Sequence, residues 1–475
     1  MKRMLVWVGF LTLAAKSQAA AQESRLLTLD EALRLARANH PQLRASRAQT
    51  DAAKARVDEA RAPLLPQVGA VVSYGRGTTN GSPTSSSPAN TATGTATSTF
   101  TSTATSTSTS TSTSTSTSIS TSAYPSTTTG RMIQSGSFDT TPSYQASVTA
   151  NQLIYDFGQT SGRWNAAKAT LRAQEQGERN AEVQLIFNVR SAYYTAVAAR
   201  ALVKVADENL HNQDAHLRQI QGFVEAGTRP EIDLAQARTD RANARVQLIN
   251  AQVTYDTDKA LLNQAIGIER SVEYDVAESS GEAIAGEDGS TDTLLEEAIK
   301  ARPDLLALAR QVEAQELTTR SIQGSYAPSL GVRTSFSDGG SALGSLYWNW
   351  NAAMTLTWQI FGGGITRAQV RESQATTTAL RAQYDLQRQQ VRADVEQARL
   401  TVRSTKAAIE ATHEAAVNAR VRLDLAEGRY KAGVGNIIEL GDSQLALTTA
   451  AGQEVQATYS LAIARAKLLQ ALGQP

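Results

Sequence analysis

The chain has 475 residues, enough for two or three ordinary domains and a substantial core. Its 46 Lys and Arg against 45 Asp and Glu give a formal net charge of +1, which offers no electrostatic case for a nucleic-acid partner. The sequence has no cysteine, which excludes disulfides, thiolate metal sites, a catalytic thiol and a lipid-modified cysteine. With four His and 5% aromatic residues, it is poor in the side chains that most catalysis uses.

The first 21 residues have the three parts of a secretory signal peptide. Met1–Arg3 is basic, residues 4–15 are apolar, and Ala19–Ala21 is a small-residue cleavage site. The apolar part is shorter than the about 20 residues that a membrane-spanning helix needs. We therefore predict that residues 1–21 are a cleaved signal peptide and that the protein is exported.

The rest of the chain is a duplication. Pro41-Gln42-Leu43 matches Pro303-Asp304-Leu305, and Ile154-Tyr155 matches Ile360-Phe361. The second match continues without a gap to Gly267 and Gly473. The first copy is longer because of one insertion, an uncharged tract between Arg76 and Arg131 that is mostly Ser and Thr. Such a tract cannot bury enough apolar surface to fold, so we predict a loop and not a domain.

Each copy begins with a helix of modest length, followed by two strands. The helices are predicted over residues 42–61 and 304–323, and prolines at 63, 66 and 328 end them. In the second copy, eight apolar residues alternate with mainly polar ones between Leu346 and Ile360. Residues 144–151 and 329–336 repeat this alternation. A strand of this length is typical of one that crosses a bilayer obliquely, and the alternative is a soluble sheet with one buried face.

A very long helix follows each strand pair. Residues 159–225 and 365–431 contain no proline, and sixty-seven residues make a helix of roughly 100 Å. In the first copy, apolar residues follow one another at spacings of four and three, as in a coiled coil, and so form a stripe along the helix. Its members are Leu185, Val189, Ala192, Ala196, Ala199, Val203, Ala206 and Leu210. Glycine-containing turns at 226–230 and 432–436 then lead into return helices that end at Gly267 and Gly473.

Four amphipathic strands are too few to enclose a membrane barrel, because the smallest such barrels have about eight. Open sheet edges are not tolerated in lipid, since their main-chain groups lose all hydrogen-bond partners. We therefore expect several copies of the chain to contribute strands to one shared cylinder, with the helices forming a matching tube.

The duplicated layout resembles the TolC-type outer membrane efflux proteins. The resemblance rests on paired signatures at the strand-to-helix junctions and at the helical turns. These are Ile154-Tyr155-Asp156-Phe157-Gly158 with Ile360-Phe361-Gly362-Gly363-Gly364, the turn Gly227-Thr228-Arg229-Pro230-Glu231-Ile232-Asp233, and Tyr430-Lys431-Ala432-Gly433 followed by Glu439-Leu440-Gly441-Asp442. Apart from the Ser/Thr-rich insertion, the resemblance covers essentially the whole mature chain.

The resemblance implies a fold dominated by α-helix, with membrane β-structure. It is a duplicated repeat whose long α-helical coiled-coil barrel continues into a 12-stranded transmembrane β-barrel, formed by a homotrimer with four strands per chain. The first repeat is then 22–267, with a β-hairpin whose loop is 77–130 and a helical hairpin over 159–267. An equatorial connection covers 268–302. The second repeat is 303–473, with a β-hairpin over 329–361 and a helical hairpin over 365–473.

The resemblance also implies a gate at the far end of the helical tube. Asp233 and Tyr430 fall on positions that bridge neighbouring helices in the closed state. Glu439 and Asp442 fall on an acidic ring at the constriction, where three-fold symmetry favours cations. The alternative for these two acids is helix capping. The family's best-known member has an arginine where Gly435 stands here.

We accordingly expect an outer membrane channel of a tripartite efflux or type I secretion system, located in the outer membrane with a periplasmic extension. Its partners would be a periplasmic adaptor and an inner-membrane pump. The docking positions would be Gly227, Thr228, Gly433 and Val434, although glycine at these turns is also ordinary turn chemistry.

Two other classes remain open from the sequence, a trimeric surface adhesin and a periplasmic adaptor. We expect no enzyme activity and no cofactor. His211 and His216 lie five residues apart, on different faces of a helix, so they do not predict a metal site.

Overall fold

The computed structural model describes residues 25–78, 138–269, 274–279, 281, 283–284, 287 and 289–475. The predicted signal peptide, residues 1–21, and residues 79–130 of the predicted loop lie outside the described residues. Within the described ranges, the helices are α1 Leu29–Asn39, α2 Pro41–Arg61, α3 Gln159–Glu225, α4 Glu231–Ile266, α5 Thr291–Ala301, α6 Pro303–Gly324, α7 Ile365–Lys431 and α8 Ile437–Ala471. The strands are β1 Arg25–Leu27, β2 Gln67–Gly77, β3 Thr141–Tyr155, β4 Tyr274–Val276, β5 Ser329–Gly340 and β6 Tyr347–Thr357.

The chain divides into two compact units. The described residues within Met1–Pro66, Gln152–Gly331 and Thr355–Pro475 form the first unit, which is mainly helical. Those within Gln67–Asn151 and Val332–Met354 form the second unit, which is a sheet. Among the described residues, none of the helices has both the length and the apolar character that crossing a membrane requires.

The two long helices have the predicted bounds. Helices α3 and α7 each have 67 residues, and each turns back into a partner, α4 or α8. The predicted stripe on α3 faces its neighbours, because Leu185, Val189, Ala196, Ala199 and Ala206 are buried. The other three members of the stripe are partly buried.

The long helices pack side by side in one order. Helix α3 packs against α4 and α8, and α7 packs against α8, which gives the order α4–α3–α8–α7. The shorter helices α2 and α6 pack beside α3, and α6 also packs against α7. Over most of their length α4 and α7 therefore each have one long neighbour, whereas α3 and α8 each have two.

The sheet of the second unit has the order β2-β3-β5-β6. Strands β2 and β3 are antiparallel, with a register that runs from Gln67 opposite Asn151 to Gly77 opposite Thr141. None of the residues in these four strands is buried. The described part of a single chain therefore shows no buried face on this sheet.

The prediction of one continuous strand between Leu346 and Ile360 was wrong at both ends. Strand β6 covers residues 347–357, so Trp358 and Ile360 continue the alternation beyond the paired segment. The Trp358 side chain instead donates a hydrogen bond from Nε1 to the carbonyl of Tyr326, at 3.0 Å. Alternation in a sequence reports side-chain polarity and cannot show where main-chain pairing stops.

A small parallel sheet of β1 and β4 attaches the connecting segments to the middle of α3. The hydroxyl of Tyr193 donates to the carbonyls of Leu27 (3.2 Å) and Ala277 (2.8 Å). Arg200 donates to the carbonyl of Val276 at 2.7 Å and pairs with Asp275 at 2.7 Å. These bonds satisfy main-chain groups that two three-residue strands leave without partners.

Glu287 anchors the segment after β4 to both helices of the second hairpin. Its carboxylate accepts two hydrogen bonds of 2.9 Å from Arg465 on α8 and pairs with Lys406 on α7 at 2.7 Å. Burial acts to raise the pKa of Glu287, but the bonds from Arg465, Lys406 and the Ile284 amide lower this pKa to about 2. A group with a lowered pKa stabilises the folded state above its unfolded pKa and loses that contribution as the pH falls towards 2.

Replacement of Glu287 by Gln tests this anchor. We expect Glu287→Gln to lower the free energy of unfolding at neutral pH by about 3 kcal/mol, because the buried carboxylate loses its charge and two partly buried cations lose their counter-ion. Thermal unfolding followed by circular dichroism measures the change. The difference between variant and wild type should shrink as the pH falls from about 4.5 towards 2. The exposed Glu297→Gln is the matched control, and equal losses in the two variants would contradict the anchor.

Candidate gate at the helical turns

The two long helices end in the same capping structure. After α3, the amides of Gly227 and Thr228 donate to the carbonyls of Val224 and Phe223, each at 2.9 Å. After α7, Gly433 and Val434 repeat this pattern, with both distances 3.1 Å. This is the Schellman motif, which needs a left-handed residue, and the two glycines have φ values of 72° and 79°. All four predicted docking residues are exposed at these turns.

A hydrophobic cluster from all four hairpin helices lies next to the turns. Its buried members are Ile220, Ala237, Leu423, Ala426, Tyr430 and Leu440. Because α3, α4, α7 and α8 each contribute, the cluster holds the tips of the two hairpins together. The free energy of burying these side chains favours the joined arrangement.

Two of the predicted gate residues meet at this cluster. Tyr430 on α7 is 1% exposed, and its hydroxyl donates to Oδ2 of Asp233 on α4 at 3.5 Å. Burial, together with the negative charge of Asp233, raises the pKa of Tyr430. The hydroxyl therefore stays protonated and remains a donor across the neutral range. This hydrogen bond joins helices of different hairpins, α4 and α7.

Two further residues surround the Tyr430 ring, and the sequence did not predict them. The Arg229 guanidinium lies 4.4 Å from the ring centroid and donates to the Tyr430 carbonyl at 3.2 Å. The His216 ring meets the same ring edge-on, at 5.7 Å between centroids. Burial lowers the pKa of His216, which favours its neutral form. A cation–π contact with an additional hydrogen bond fixes the rotamer of Tyr430.

The two predicted ring acids have different surroundings. Glu439 pairs with Arg429 across the turn, at 3.2 Å. Asp442 is exposed and has no ion pair among the described residues. Neither acid caps α8, because the Asn436 side chain accepts the hydrogen bond from the amide of Ile438 at 3.2 Å. Glu439 lies in the first turn of α8, where a negative charge is favourable.

Gly435 could not carry a side chain in this turn. A Cβ atom there would lie 2.7 Å from the amide nitrogen of Tyr430 and 2.9 Å from the carbonyl carbon of Arg429. A larger residue would force the backbone of the turn to move. The cation beside Tyr430 comes instead from the other turn, as Arg229.

A polar pocket of about 330 Å³ lies between α3, α4 and α8 and extends to roughly four helical turns from the tips. Its most buried contact joins Gln213 on α3 to Gln444 on α8, with 2.9 Å between Nε2 and Oε1. Asp442 is among its lining residues, with Asn209, Gln236, Asp240, Asn243 and Gln247. Gln213 and Gln444 are 231 positions apart, and no spacing in the sequence indicates this pocket.

The two histidines of α3 do not come together. His211 is exposed, and His216 packs against Tyr430. Within the part of the chain that the structure describes, no cluster of His, Cys, Asp or Glu has the composition of a metal site.

Residues 32–268 and 294–474 match the outer membrane efflux protein family. The chain belongs to this family. The match covers both copies of the duplication and confirms the resemblance that the sequence motifs indicated. Membership in an outer membrane efflux family gives the chain its location and its class of function, and the family is not one of enzymes.

Individual relatives are distant but cover most of the chain. The outer membrane efflux protein BepC of Brucella suis biovar 1 (strain 1330) is 24% identical over 336 residues, 69% of this chain and 71% of BepC. The solvent efflux pump outer membrane protein SrpC of Pseudomonas putida is 26% identical over 307 residues, 62% of this chain and 63% of SrpC.

Solved structures have the same fold. CusC superposes with a TM-score of 0.74 at 18% identity, covering 94% of this chain and 92% of CusC. The open state of the MtrE outer membrane channel of Neisseria gonorrhoeae has a TM-score of 0.69 at 18% identity, covering 94% of this chain and 89% of MtrE. These similarities confirm a long helical domain combined with a β domain.

Replacement of Tyr430 by Phe tests the bridge to Asp233. The variant keeps the ring and its packing but removes the hydroxyl, so the joined state should lose about 1 kcal/mol for each chain. In planar lipid bilayers, we expect the open fraction of single channels to rise roughly fivefold or more. Tyr384→Phe on the same helix is the control, because no hydrogen bond of that hydroxyl is present among the described residues. Unchanged gating in Tyr430→Phe would show that the bridge does not hold the tips.

Proposed function

We propose that the chain is the outer membrane channel of a tripartite efflux or type I secretion system. Three copies would form a passive conduit across the outer membrane and the periplasm. One observation carries this proposal: each of the two units has edges that lack partners in a single chain. In the sheet these are unpaired main-chain groups, and in the helical unit they are exposed apolar side chains.

The sheet of the second unit is the stronger case. Strands β2 and β6 are its edges, and each leaves one row of main-chain donors and acceptors without a strand partner. No side chain of the four strands is buried, although Trp348, Trp350, Met354 and Leu356 of β6 are large and apolar. An isolated sheet of this kind is not stable in water. Lipid on the apolar face and strands of two further copies at the edges would satisfy both needs.

The strand lengths fit a membrane. Strands β2, β5 and β6 have 11, 12 and 11 residues, and β3 has 15. About 9–11 tilted residues cross the hydrocarbon core. Three copies of four strands would give a barrel of twelve, which is above the smallest size that such barrels adopt.

The helices of the first unit also favour assembly with further copies. Large apolar side chains stay exposed along the two edge helices. They are Val246, Ile249, Val253 and Leu261 on α4, and Leu386, Leu400, Val417, Val421 and Leu425 on α7. A head-to-tail contact between α4 of one copy and α7 of the next buries both stripes and closes into a ring. A trimer would contain twelve hairpin helices.

The signal peptide and the domain division belong to the same proposal. Removal of residues 1–21 on export would leave the first repeat over 22–267, the equatorial connection over 268–302 and the second repeat over 303–473. The small sheet of β1 and β4 and the Glu287 anchor support an equatorial band, because they attach these connecting segments to the helices.

The gate would be at the helical turns. We assign Asp233 and Tyr430 to the bridge that holds the closed state, with Arg229 fixing the tyrosine. In the trimer, the three Asp442 carboxylates would form the part of the acidic ring that attracts cations. Glu439 would contribute less charge because Arg429 pairs with it.

The exposed turns would dock a periplasmic adaptor, which in turn contacts an inner-membrane pump. Gly227, Thr228, Gly433 and Val434 present small side chains on a rigid capping motif, which allows a partner helix to approach closely. Membership of the family favours this assignment over a surface adhesin or an adaptor. We assign no catalytic role and no cofactor to the chain.

A measurement of the mass of the native protein tests the proposed trimer. Protein purified in mild detergent should have three times the mass of one chain and should give a heat-sensitive trimer band on gels. Insertion into planar bilayers should produce steps of conductance. A monomer that stays soluble without detergent would overturn the proposed function.

Replacement of Asp442 by Asn tests the acidic ring. The variant removes three charges from the constriction, so the preference for cations over anions should decrease. The reversal potential of single channels in a salt gradient measures this preference. Asp424→Asn removes an exposed carboxylate of α7 outside the predicted ring and should leave the preference unchanged. An unaltered reversal potential in Asp442→Asn would exclude the ring.

A further inference from the structure

The ends of the helices near the strands carry an excess of positive charge. We define the junction zone as residues 52–61, 159–168, 315–324 and 365–374, the last ten residues of α2 and α6 and the first ten of α3 and α7. It contains eight Lys or Arg and four Asp or Glu. The cations are Lys54, Arg56, Arg61, Arg163, Lys168, Arg320, Arg367 and Arg371, and the acids are Asp58, Glu59, Glu316 and Glu372.

Most of these cations lack a carboxylate partner. Of the eight, Lys54 alone has an ion pair within the described part of the chain, at 3.0 Å to Asp51. Further from the strands the pattern reverses, because Arg172, Arg310 and Arg381 all pair with Glu313 or Glu316. Exposed cations left unpaired at one level of the unit indicate an anionic partner at that level.

Exposed aromatic side chains occur in the same part of the first unit. Tyr155 and Phe157 contact each other, with 4.8 Å between ring centroids, and both are more than half exposed. Tyr326, Trp358 and Phe361 are also exposed. Aromatic residues of this kind are enriched where membrane hydrocarbon meets the headgroups.

Trp164 on α3 brings two of the cations together. Lys168 Nζ lies 3.1 Å from its ring centroid, and the guanidinium carbon of Arg61 lies 5.7 Å from it. The indole Nε1 of Trp164 is buried and has no acceptor among the described residues. Arg163 is adjacent in sequence and exposed. Lys168, Arg61 and the indole N–H at one ring form a receptor for an anion with several oxygen acceptors, and the exposed charge of Arg163 on the preceding residue adds to the positive potential of this surface.

We propose that Arg61, Arg163, Trp164 and Lys168 bind the phosphate diester of an anionic phospholipid. This inference rests on the proposed function. At most seven residues of chain connect each helix end of the junction zone to a strand, so strands that cross the membrane would bring this zone to the lipid headgroups. The neighbouring exposed aromatic residues favour a lipid over a free anion, since only a lipid brings acyl chains to cover them.

The test compares lipids on the detergent-purified protein. Native mass spectrometry counts bound molecules of dioleoyl phosphatidylglycerol and of zwitterionic dioleoyl phosphatidylcholine. Wild type should prefer phosphatidylglycerol, and the preference should decrease when salt is raised. The triple variant Arg61→Gln, Arg163→Gln and Lys168→Gln should bind it about a hundredfold more weakly, at about fivefold for each cation removed.

The matched control removes three exposed cations near the other end of the helices, as Arg238→Gln, Arg245→Gln and Arg422→Gln. It should bind phosphatidylglycerol as wild type does. Equal binding of the two lipids by wild type, an unaffected triple variant, or full displacement by inorganic phosphate at the same concentration would overturn the inference. Conductance in phosphatidylcholine bilayers separates the two proposals. If the protein conducts but binds the two lipids equally, only the proposed lipid site is contradicted. If the protein never conducts, the proposed channel function is contradicted.

Discussion

Main-chain hydrogen bonding at the edges of the four-stranded sheet is the constraint on which the rest of the structure depends. A donor or acceptor without a partner in an apolar surrounding costs several kcal/mol, and each edge strand has a whole row of them. The sheet also buries none of its side chains. A single copy of the chain therefore leaves both needs unmet, and in the proposed trimer the strands of further copies would supply the missing main-chain partners.

In the helical unit, most main-chain groups have hydrogen-bond partners within the helices. The buried polar side chains are concentrated where the connecting segments contact the long helices. Tyr193 and Arg200 fasten the short parallel strands to α3, and Glu287 fastens the following segment to α7 and α8. At the tips, packing around Tyr430 joins helices from both copies of the duplication. That contact includes one neutral hydrogen bond and one cation–π interaction, which are individually weak. In the proposed gate, weak contacts of this kind would allow the tips to separate and re-form.

The amount that the sequence predicts depends on how local each feature is. The bounds of α3 and α7 follow from an uninterrupted helical stretch and from glycines whose left-handed geometry ends it. The meeting of Asp233 and Tyr430 came from the family resemblance. The contacts of Arg229 and His216 with Tyr430, and the Gln213–Gln444 pair, depend on packing between distant segments that no periodicity encodes. Arg229 lies within the turn motif of residues 227–233. Its positive charge, which could pair with an aromatic ring, was the one feature of the sequence that could have indicated its contact with Tyr430. The end of β6 was missed because Trp358 continues the alternation after pairing has stopped.

The register of β2 with β3 has a consequence for what this protein can tolerate. Gly77 opposite Thr141 is the last pair, and 63 residues connect them, whereas six residues connect β5 to β6. Since the entropy of closing a loop grows only with the logarithm of its length, the longer connection costs roughly 2 kcal/mol more. The pairing of β2 with β3 is thus compatible with a connection of this length. In the proposed channel, an engineered peptide inserted at the same position would add little further cost to folding.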